Sequence, residues 1–510
     1  MRPIPAKSRT TTLTAPTGGW NARDALTEMA PNDAVSLTNW FPLTTEVRLR
    51  AGYTQFATGL PAQVETLMAY SGGSTEELWA ASSGNFYNIT SGGAVGAAVV
   101  SGLSNSRWQY CNVATAGGNF IYAANGIDTP YLYDGATWTS ITGVSVPAIT
   151  GITTTDLNNP IVFKNRVWFI QRNTLKTWYL PTLAVGGAAN AVDMSAVAQL
   201  GGYIVDHATW TIDAGQGVDD YYVAVTSRGE IIIYQGTDPS SSTTWALKGV
   251  WRLGHPVGSR CLTKLGGDLL LISQDGLLPL GAALQSSRVN PRVALTDKIQ
   301  FATSAAISSY GGNFGWQTMY FARENMLIMN VPIAEGSQQQ QYVMNTITKS
   351  WCNFTGWEAN CWQLFQDSPY FGGNGFVGLA WNGNADNGSA IAGNALQAFN
   401  SFGNSLQKRF TMMQPVFRSN GSPAVLSSIN LDFNTGTNNN PLSFSAVTTA
   451  LWDSAIWDSA VWGGDLSVIQ NWQGASGIGR YAAIQMRLTS SGIDTRWVST
   501  GLVYETGGIL

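Results

Sequence analysis

Short apolar runs alternate with turns rich in Gly, Asn and Ser along most of the chain. One arrangement recurs: an apolar strand, a tight turn and a second strand, at a spacing of about fifty residues. The copies begin at Glu77 (ELWAASSGNFYNI), Phe120 (FIYAANGIDTPYLY), Val167 (VWFIQRNTLKTWYL), Tyr221 (YYVAVTSRGEIIIY), Asp268 (DLLLISQDGLLPL), Met326 (MLIMNVPIAEGSQQQQYVM) and Phe376 (FVGLAWNGNADNGSAI). Six of the seven turn on a doublet ending in glycine: Ser83-Gly84, Asn125-Gly126, Arg228-Gly229, Asp275-Gly276, Glu335-Gly336 and Asn382-Gly383. Glycine supplies the positive φ of a tight hairpin. The third copy turns on Arg172-Asn173, and asparagine tolerates that region next best. A loose repeat of roughly 40–50 residues made of short strands predicts an all-β fold, a β-propeller of six or seven blades.

The pattern divides the chain into an N-terminal arm and entry segment (1–62), the propeller (63–405) and a C-terminal antiparallel β-domain of sandwich type (406–510). Residues 1 to about 17 are Thr/Pro-rich and carry Arg2, Lys7 and Arg9 without an acid. They read as an extended arm, disordered or laid on a neighbour. Pro31-Asn32-Asp33 predicts the opening of a short helix through Trp40, and Glu46 to Phe56 alternates as a strand. Five strands follow Lys408: TMMQPVFRS, SSINLDFN, LSFSAVTT, YAAIQMRLTSS and RWVSTGLVYET. Among them lies ALWDSAIWDSAVWGG, which sets Trp452, Trp457 and Trp462 at equal steps of five. An odd period cannot hold all three on one strand face, so turns closed by Asp453 and Asp458 are expected. Two blades end alike, at Asp134 to Trp138 and Asn345 to Trp351. There the polar residue is expected to bind the turn backbone and the Trp to wedge against the next blade.

Composition narrows the function classes. Charged residues are 11%, against about 25% in an ordinary domain. Gly, Ser, Thr, Asn and 20 Trp fill the deficit, which suits a polar but uncharged β surface, part of it covered by other subunits. Most of the Trp are expected in blade cores. The net charge is −4 and no basic stripe exists beyond Lys408-Arg409, which opposes tight binding to nucleic acid. The N-terminus lacks the apolar stretch of a signal peptide, and no run approaches 18 apolar residues, so no membrane span is expected. Cys111, Cys261, Cys352 and Cys361 have no paired spacing and read as free thiols.

No motif compels a catalytic, cofactor or metal site. Gly373, Gly375 and Gly378 spell GxGxxG, but a strand and turn follow where a dinucleotide site needs a helix. Asn382, Asn384 and Asp386 alternate as in a calcium loop, yet the glycine comes one residue late and no closing Glu follows. His207 and His255 are the only histidines and read as loop or interface residues. Asp219 and Asp220 are adjacent, so a strand sends them to opposite faces. A glycosidase built on paired carboxylates would have to gather them from different blades.

Two motifs carry a resemblance. GGWNARDALTEMAPNDAVSLTNWFP (Gly18 to Pro42), followed by VRLRAGY, is similar to the opening of the tail nozzle (tail hub, or stabilisation) proteins of short-tailed bacteriophages. The tandem WDSAIWDSAVWGG resembles the same group. The matching positions are Gly19-Trp20-Asn21, Arg23, Asp24, Pro31, Asp33, Ala34, Asn39-Trp40-Phe41-Pro42, Arg48, Arg50 and Gly52-Tyr53. The resemblance implies a homo-hexameric ring at the distal end of the virion tail, assembled in the host cytoplasm. It implies an adaptor (head-to-tail connector) ring above, docked tail fibres or spikes below, and only transient, non-specific contact with genomic DNA. Six chains at −4 give 6 × −4 = −24, a charge that lets a polyanion slide. Trp20, Asn39, Trp40, Phe41, Pro42, Arg48, Arg50, Tyr53, Trp452, Trp457 and Trp462 are the expected interface residues. The arm and the NWFP segment are expected to pack against a neighbour or between the two domains, with Trp40, Phe41 and Tyr53 as the anchors, because aromatics carry most interface energy. Gating is expected from the loops Asn382 to Asn394 and Asn434 to Asn440, which hold little apolar surface. The alternative from another class is a glycan-active or glycan-binding propeller, a surface-polysaccharide hydrolase or a lectin.

Overall fold

The computed structural model describes residues 8–213, 218–285, 293–404, 406–436, 440–441 and 466–507. The Trp-Asp repeat with Trp452, Trp457 and Trp462 lies outside the described residues, as do residues 1–7 of the arm. Among the described residues strand makes up 55% and helix 5%. Among the described residues no helix is long and apolar enough to cross a membrane.

Seven antiparallel blades of three or four strands form the propeller. Blade 1 is the C-terminal half of Tyr53–Ser71 with Glu76–Ser82 and Asn85–Asn88. Blade 2 is Gln109–Thr115, Gly118–Ala124, Tyr131–Tyr133 and Trp138–Ser140. Blade 3 is Leu157–Phe163, Arg166–Gln171, Lys176–Tyr179 and Asn190–Asp193. Blade 4 is Ile204–Asp213, Val218–Thr226, Glu230–Gly236 and Trp245–Arg252. Blade 5 has three strands, Leu262–Leu265, Asp268–Ser273 and Gly276–Pro279, then a short helix α1 (Leu280–Ala283). Blade 6 is Gln317–Phe321, Met326–Ala334, Gln338–Asn345 and Trp351–Thr355. Blade 7 is Cys361–Phe365, Ser368–Gly372 and Asn374–Ala380. The first strands of successive blades touch all the way round, the strand of blade 7 meeting Tyr53–Ser71.

Tyr53–Ser71 closes the ring. Its N-terminal half pairs with Asn374–Ala380 of blade 7 (Tyr53 with Ala380, Gln63 with Asn374). Its C-terminal half is the innermost strand of blade 1 (Val64 with Ser82, Ser71 with Glu76). The division at residue 62 thus falls inside one continuous strand.

The first six hairpin copies are the paired second and third strands of blades 1 to 6. The seventh copy is corrected. Asn374–Ala380 pairs with Ser368–Gly372 and Tyr53–Ser71, whereas Ile391–Gln397 leaves the propeller to pair with Asp33–Thr38 and Ala482–Ser490. Both blade endings bind their turns as expected: Asp134 Oδ1 accepts from the Ala136 and Thr137 amides, and Asn345 Oδ1 from Ile347 and Thr348. The Trp138 wedge points the other way, onto Trp79 and Phe86 of the preceding blade.

The second domain is a sandwich built from both ends of the chain. One sheet holds Ser8–Thr14, Trp40–Pro42, Val47–Leu49, Lys408–Ser419, Ser467–Gln470, Gln473–Gly479 and Thr495–Thr506. The other holds Asp33–Thr38, Ile391–Gln397, Ala482–Ser490 and Val425–Leu431, and joins blade 6 where Thr38 pairs with Asn353. Residues from both sheets and from blades 6 and 7 share one apolar core. The arm is therefore placed from residue 8: Ser8–Thr14 pairs antiparallel with the chain's own Thr495–Thr506. The helix expected over Pro31 to Trp40 is a strand, Asp33–Thr38, because it pairs along Ile391–Gln397. The longest helix among the described residues is α2 (Gln300–Tyr310), packed on blade 6. The strand expected over Glu46 to Phe56 is divided, Val47–Leu49 serving the sandwich and Tyr53 onward the propeller.

Candidate functional site: the domain junction and the axial cavity

The described residues that carry the resemblance gather where the sandwich meets blades 6 and 7. Asn39 sits at φ 60° between Asp33–Thr38 and Trp40–Pro42, where the chain crosses from one sheet to the other. Asparagine tolerates that left-handed conformation better than most residues. Its amide nitrogen donates to Thr355 Oγ1 (3.1 Å) and Ala392 O (2.7 Å), and its oxygen accepts from Arg50 Nε (3.0 Å) and the Thr355 amide (2.9 Å). The buried side chain thereby fills its hydrogen-bonding capacity.

Arg50 is 1% exposed and uses all five of its donors. Besides Asn39 it binds Ala51 O (3.0 Å), Thr355 O (2.6 Å) and both carboxylate oxygens of Asp386 (2.8 and 2.6 Å). Its guanidinium carbon lies 4.8 Å from the Trp357 ring centroid. The loop whose spacing suggested calcium thus spends its one carboxylate on a guanidinium. The same contacts correct the gating expectation for Asn382 to Asn394. Gly52 N binds Gly383 O, Tyr53 N binds Ala385 O and Asn387 N binds Tyr53 O, so this loop is tied to the closing strand. Its last residues already belong to the strand Ile391–Gln397. In the second loop, Asn434 and Gly436 carbonyls hold Asn430 Nδ2 (3.0 and 2.7 Å); residues 437–439 lie outside the described residues.

Trp40 and Phe41 are fully buried within this chain. Trp40 lies on Gly393, where a Cβ would sit 2.8 Å from its Nε1, and Phe41 meets Phe354 and Trp381 edge-on at 6.3 and 5.8 Å. Pro42 O accepts from Asn345 Nδ2 at 2.9 Å. Tyr53 is half-buried, stacked on Phe376 at 5.9 Å and edge-on to Phe371 at 5.2 Å, and its burial raises its pKa. Arg48 pairs with Asp494 at 3.3 Å and lies over Trp381. Trp20 meets Tyr342 edge-on at 5.3 Å. Beside it, Asn21 bridges Asp24 and Asp33, and Lys298 binds Asp33 at 2.5 Å. Arg23 holds the Asp24 carboxyl down at about 2, with help from Asn21.

The propeller axis encloses a cavity of about 370 Å³, lined by first strands of all seven blades, from Thr66 round to Gln363. A duplex is ~20 Å across, wide for the bore of a single propeller. Arg260, which lines the cavity, lies 5.2 Å from the Phe314 ring centroid, and Arg107 lies 4.4 Å from the same ring. Arg107 pairs with Glu65 (2.9 Å) and Glu335 (3.0 Å).

Asp206 is the one carboxylate among the described residues lining this cavity. Asn159 (2.6 Å) and the amides of His207 (2.8 Å) and Leu262 (2.9 Å) engage it, while burial pushes its pKa up to about 6. His207 is corrected from a loop to a buried strand position. Its Nε2 donates to Asn159 O, which makes Nδ1 the acceptor of the Tyr222 hydroxyl at 2.6 Å. Burial lowers its pKa to about 4, so the ring is neutral. β-Bulges in both first strands, between Asn158 and Ile161 and between Ile204 and Asp206, aim these groups together. No sequence signal marks such bulges; within the first of them Asn159 takes φ 47°. A lone, fully bonded carboxylate does not make the pair a glycosidase needs. His255 is exposed, with Nδ1 on Ser227 O at 3.1 Å. The four cysteines are free thiols.

No family model and no curated protein matches the sequence. Several solved structures are similar at low identity. BBS1N in its complex with ARL6DN has a TM-score of 0.39 and 10% identity, covering 65% of this chain and 97% of that one. The extracellular domain of the one-component system BT4673 from B. thetaiotaomicron has 0.42 and 11%, covering 81% and 57%. YCF48 bound to D1 peptide has 0.35 and 14%, covering 65% and 95%. At these identities they bear on neither ligand nor partner.

Proposed function

We propose that this chain is a structural subunit of a short-tailed bacteriophage tail, one of six in a nozzle ring that conducts and gates DNA. The observation that carries the reading is the use made of the resembling motif. Its residues are spread from Gly19 to Tyr53 and act together, fixing the sandwich to the strand that closes the propeller. A rigid two-domain block of this kind is what a ring under internal pressure requires of each subunit.

In this reading DNA runs along the axis between subunits, since the bore of a single propeller is narrow against a duplex ~20 Å across. The ring charge of 6 × −4 = −24 keeps the duplex from sticking. One face meets the adaptor ring and the other docks fibres or spikes. Gold-labelled antibody against the chain, applied to DNA-filled particles, tests the placement. Label at the distal tip of the tail is expected; label on the capsid, or on no particle, overturns it.

A further inference from the structure

Between blades 4 and 5 the fold opens a cleft of about 610 Å³, within the usual size of small-molecule sites. A length mismatch creates it. The strands of blade 4 are 10, 9, 7 and 8 residues long. Those of blade 5 are 4, 6 and 4, and its chain turns into α1 where blades 2, 3, 4 and 6 place a fourth strand. The projecting face of blade 4 therefore looks onto α1 and the Gly267-Asp268 turn.

Three aromatic rings line that face. Trp210 and Tyr221 are cross-strand partners with centroids 6.1 Å apart. Trp251 lies flat on the backbone at Gly249, where a Cβ would come within 2.6, 2.9 and 3.1 Å of three ring carbons. Only glycine lets the ring lie down and present its other face to the cleft. The neighbouring Lys248 is the unpaired residue of a β-bulge, between the pairs Ile233–Gly249 and Tyr234–Leu247. The bulge re-aims its side chain, and Lys248 lines the cleft without an ion pair among the described residues. Opposite, Asp268 Oδ1 accepts from the Leu269 and Gly281 amides (2.8 and 2.9 Å), and Oδ2 has no hydrogen-bond partner among the described residues. Gln285 adds an amide at the rim.

Flat ring faces ringed by donors and acceptors match a pyranose, with its apolar C–H face and hydroxyl edge. One ammonium opposite one carboxylate leaves no net charge to favour an ion. We propose that this cleft binds a neutral oligosaccharide, with Trp251 as the stacking platform. The inference stands independently of the nozzle reading.

The test titrates the purified full-length chain with maltotriose, cellotriose and chitotriose, read by tryptophan fluorescence and saturation-transfer NMR. At least one is expected to bind. Trp251→Ala should weaken it about tenfold, the worth of one aromatic contact, and Lys248→Ala about threefold, each melting with the wild type. If Trp251→Ala fails to fold, the exposed Lys248→Glu substitution carries the test. No binding of any trisaccharide at about 10 mM overturns the proposal. So does binding unchanged in these variants, or uptake of the apolar dye anilinonaphthalene sulfonate with no saccharide bound.

Discussion

Arg50 and Asp386, 336 residues apart in sequence, form a two-pronged ion pair in which Nη1 and Nη2 each donate to a different carboxylate oxygen, at 2.8 and 2.6 Å. The pair fastens the entry segment to the loop that follows blade 7. Removing one partner strands the other away from water, at a cost of about 3–5 kcal/mol. Arg50→Met should lower the urea midpoint accordingly, and adding Asp386→Leu should recover part of the loss. A single variant as stable as the wild type would mean that the pair holds nothing.

Trp40, expected to pack against a neighbour or between the two domains, lies completely buried in the core that the sandwich shares with blades 6 and 7. Trp40→Ala empties a large core site and should cost about 3–5 kcal/mol. Early melting is the expected outcome in calorimetry. An unchanged transition with failed assembly would restore the intermolecular role.

Gly52 packs so tightly that a Cβ would lie 1.8 Å from Ala385 O. Gly52→Ala must push the Asp386 loop away and should destabilise by about 1–3 kcal/mol. Hydrogen exchange should rise at Tyr53 and Asn387, whose amides bind across this contact. No change in exchange there would contradict the tight seat.

Asp206 and His207 give a pH signature. Between pH 6.5 and about 4 the unfolded chain protonates a histidine that the folded chain keeps neutral, so this group costs stability as pH falls. Asp206 acts oppositely. Its contribution is complete below pH 3.8 and is lost as pH rises to about 6, because only the folded chain keeps that proton. The two slopes largely cancel between pH 4 and 6. Asp206→Asn should expose the histidine alone, making the protein about 2 kcal/mol more stable at pH 6 than at pH 4.5. Equal slopes in variant and wild type would contradict this.

Most blades were legible because their signals are local: alternating apolar residues and a glycine at the turn, as at Gly84 or Gly229. The closure was not, since Tyr53–Ser71 finds its partner more than 300 residues away. Asp33–Thr38 has apolar spacing compatible with helix or strand, and its partner Ile391–Gln397 decides. The junction motif could be picked out as residues, yet Asp386 had no sequence link to Arg50. The cleft depends on a bulge at Lys248 and on strand lengths, which only the assembled sheets reveal.

The hexameric ring is tested most directly by the mass of the purified chain, alone and mixed with the adaptor ring, in native mass spectrometry. The nozzle reading predicts a species of six times 54.6 kDa, alone or seated on the adaptor. A chain that remains at 54.6 kDa in both samples would contradict it.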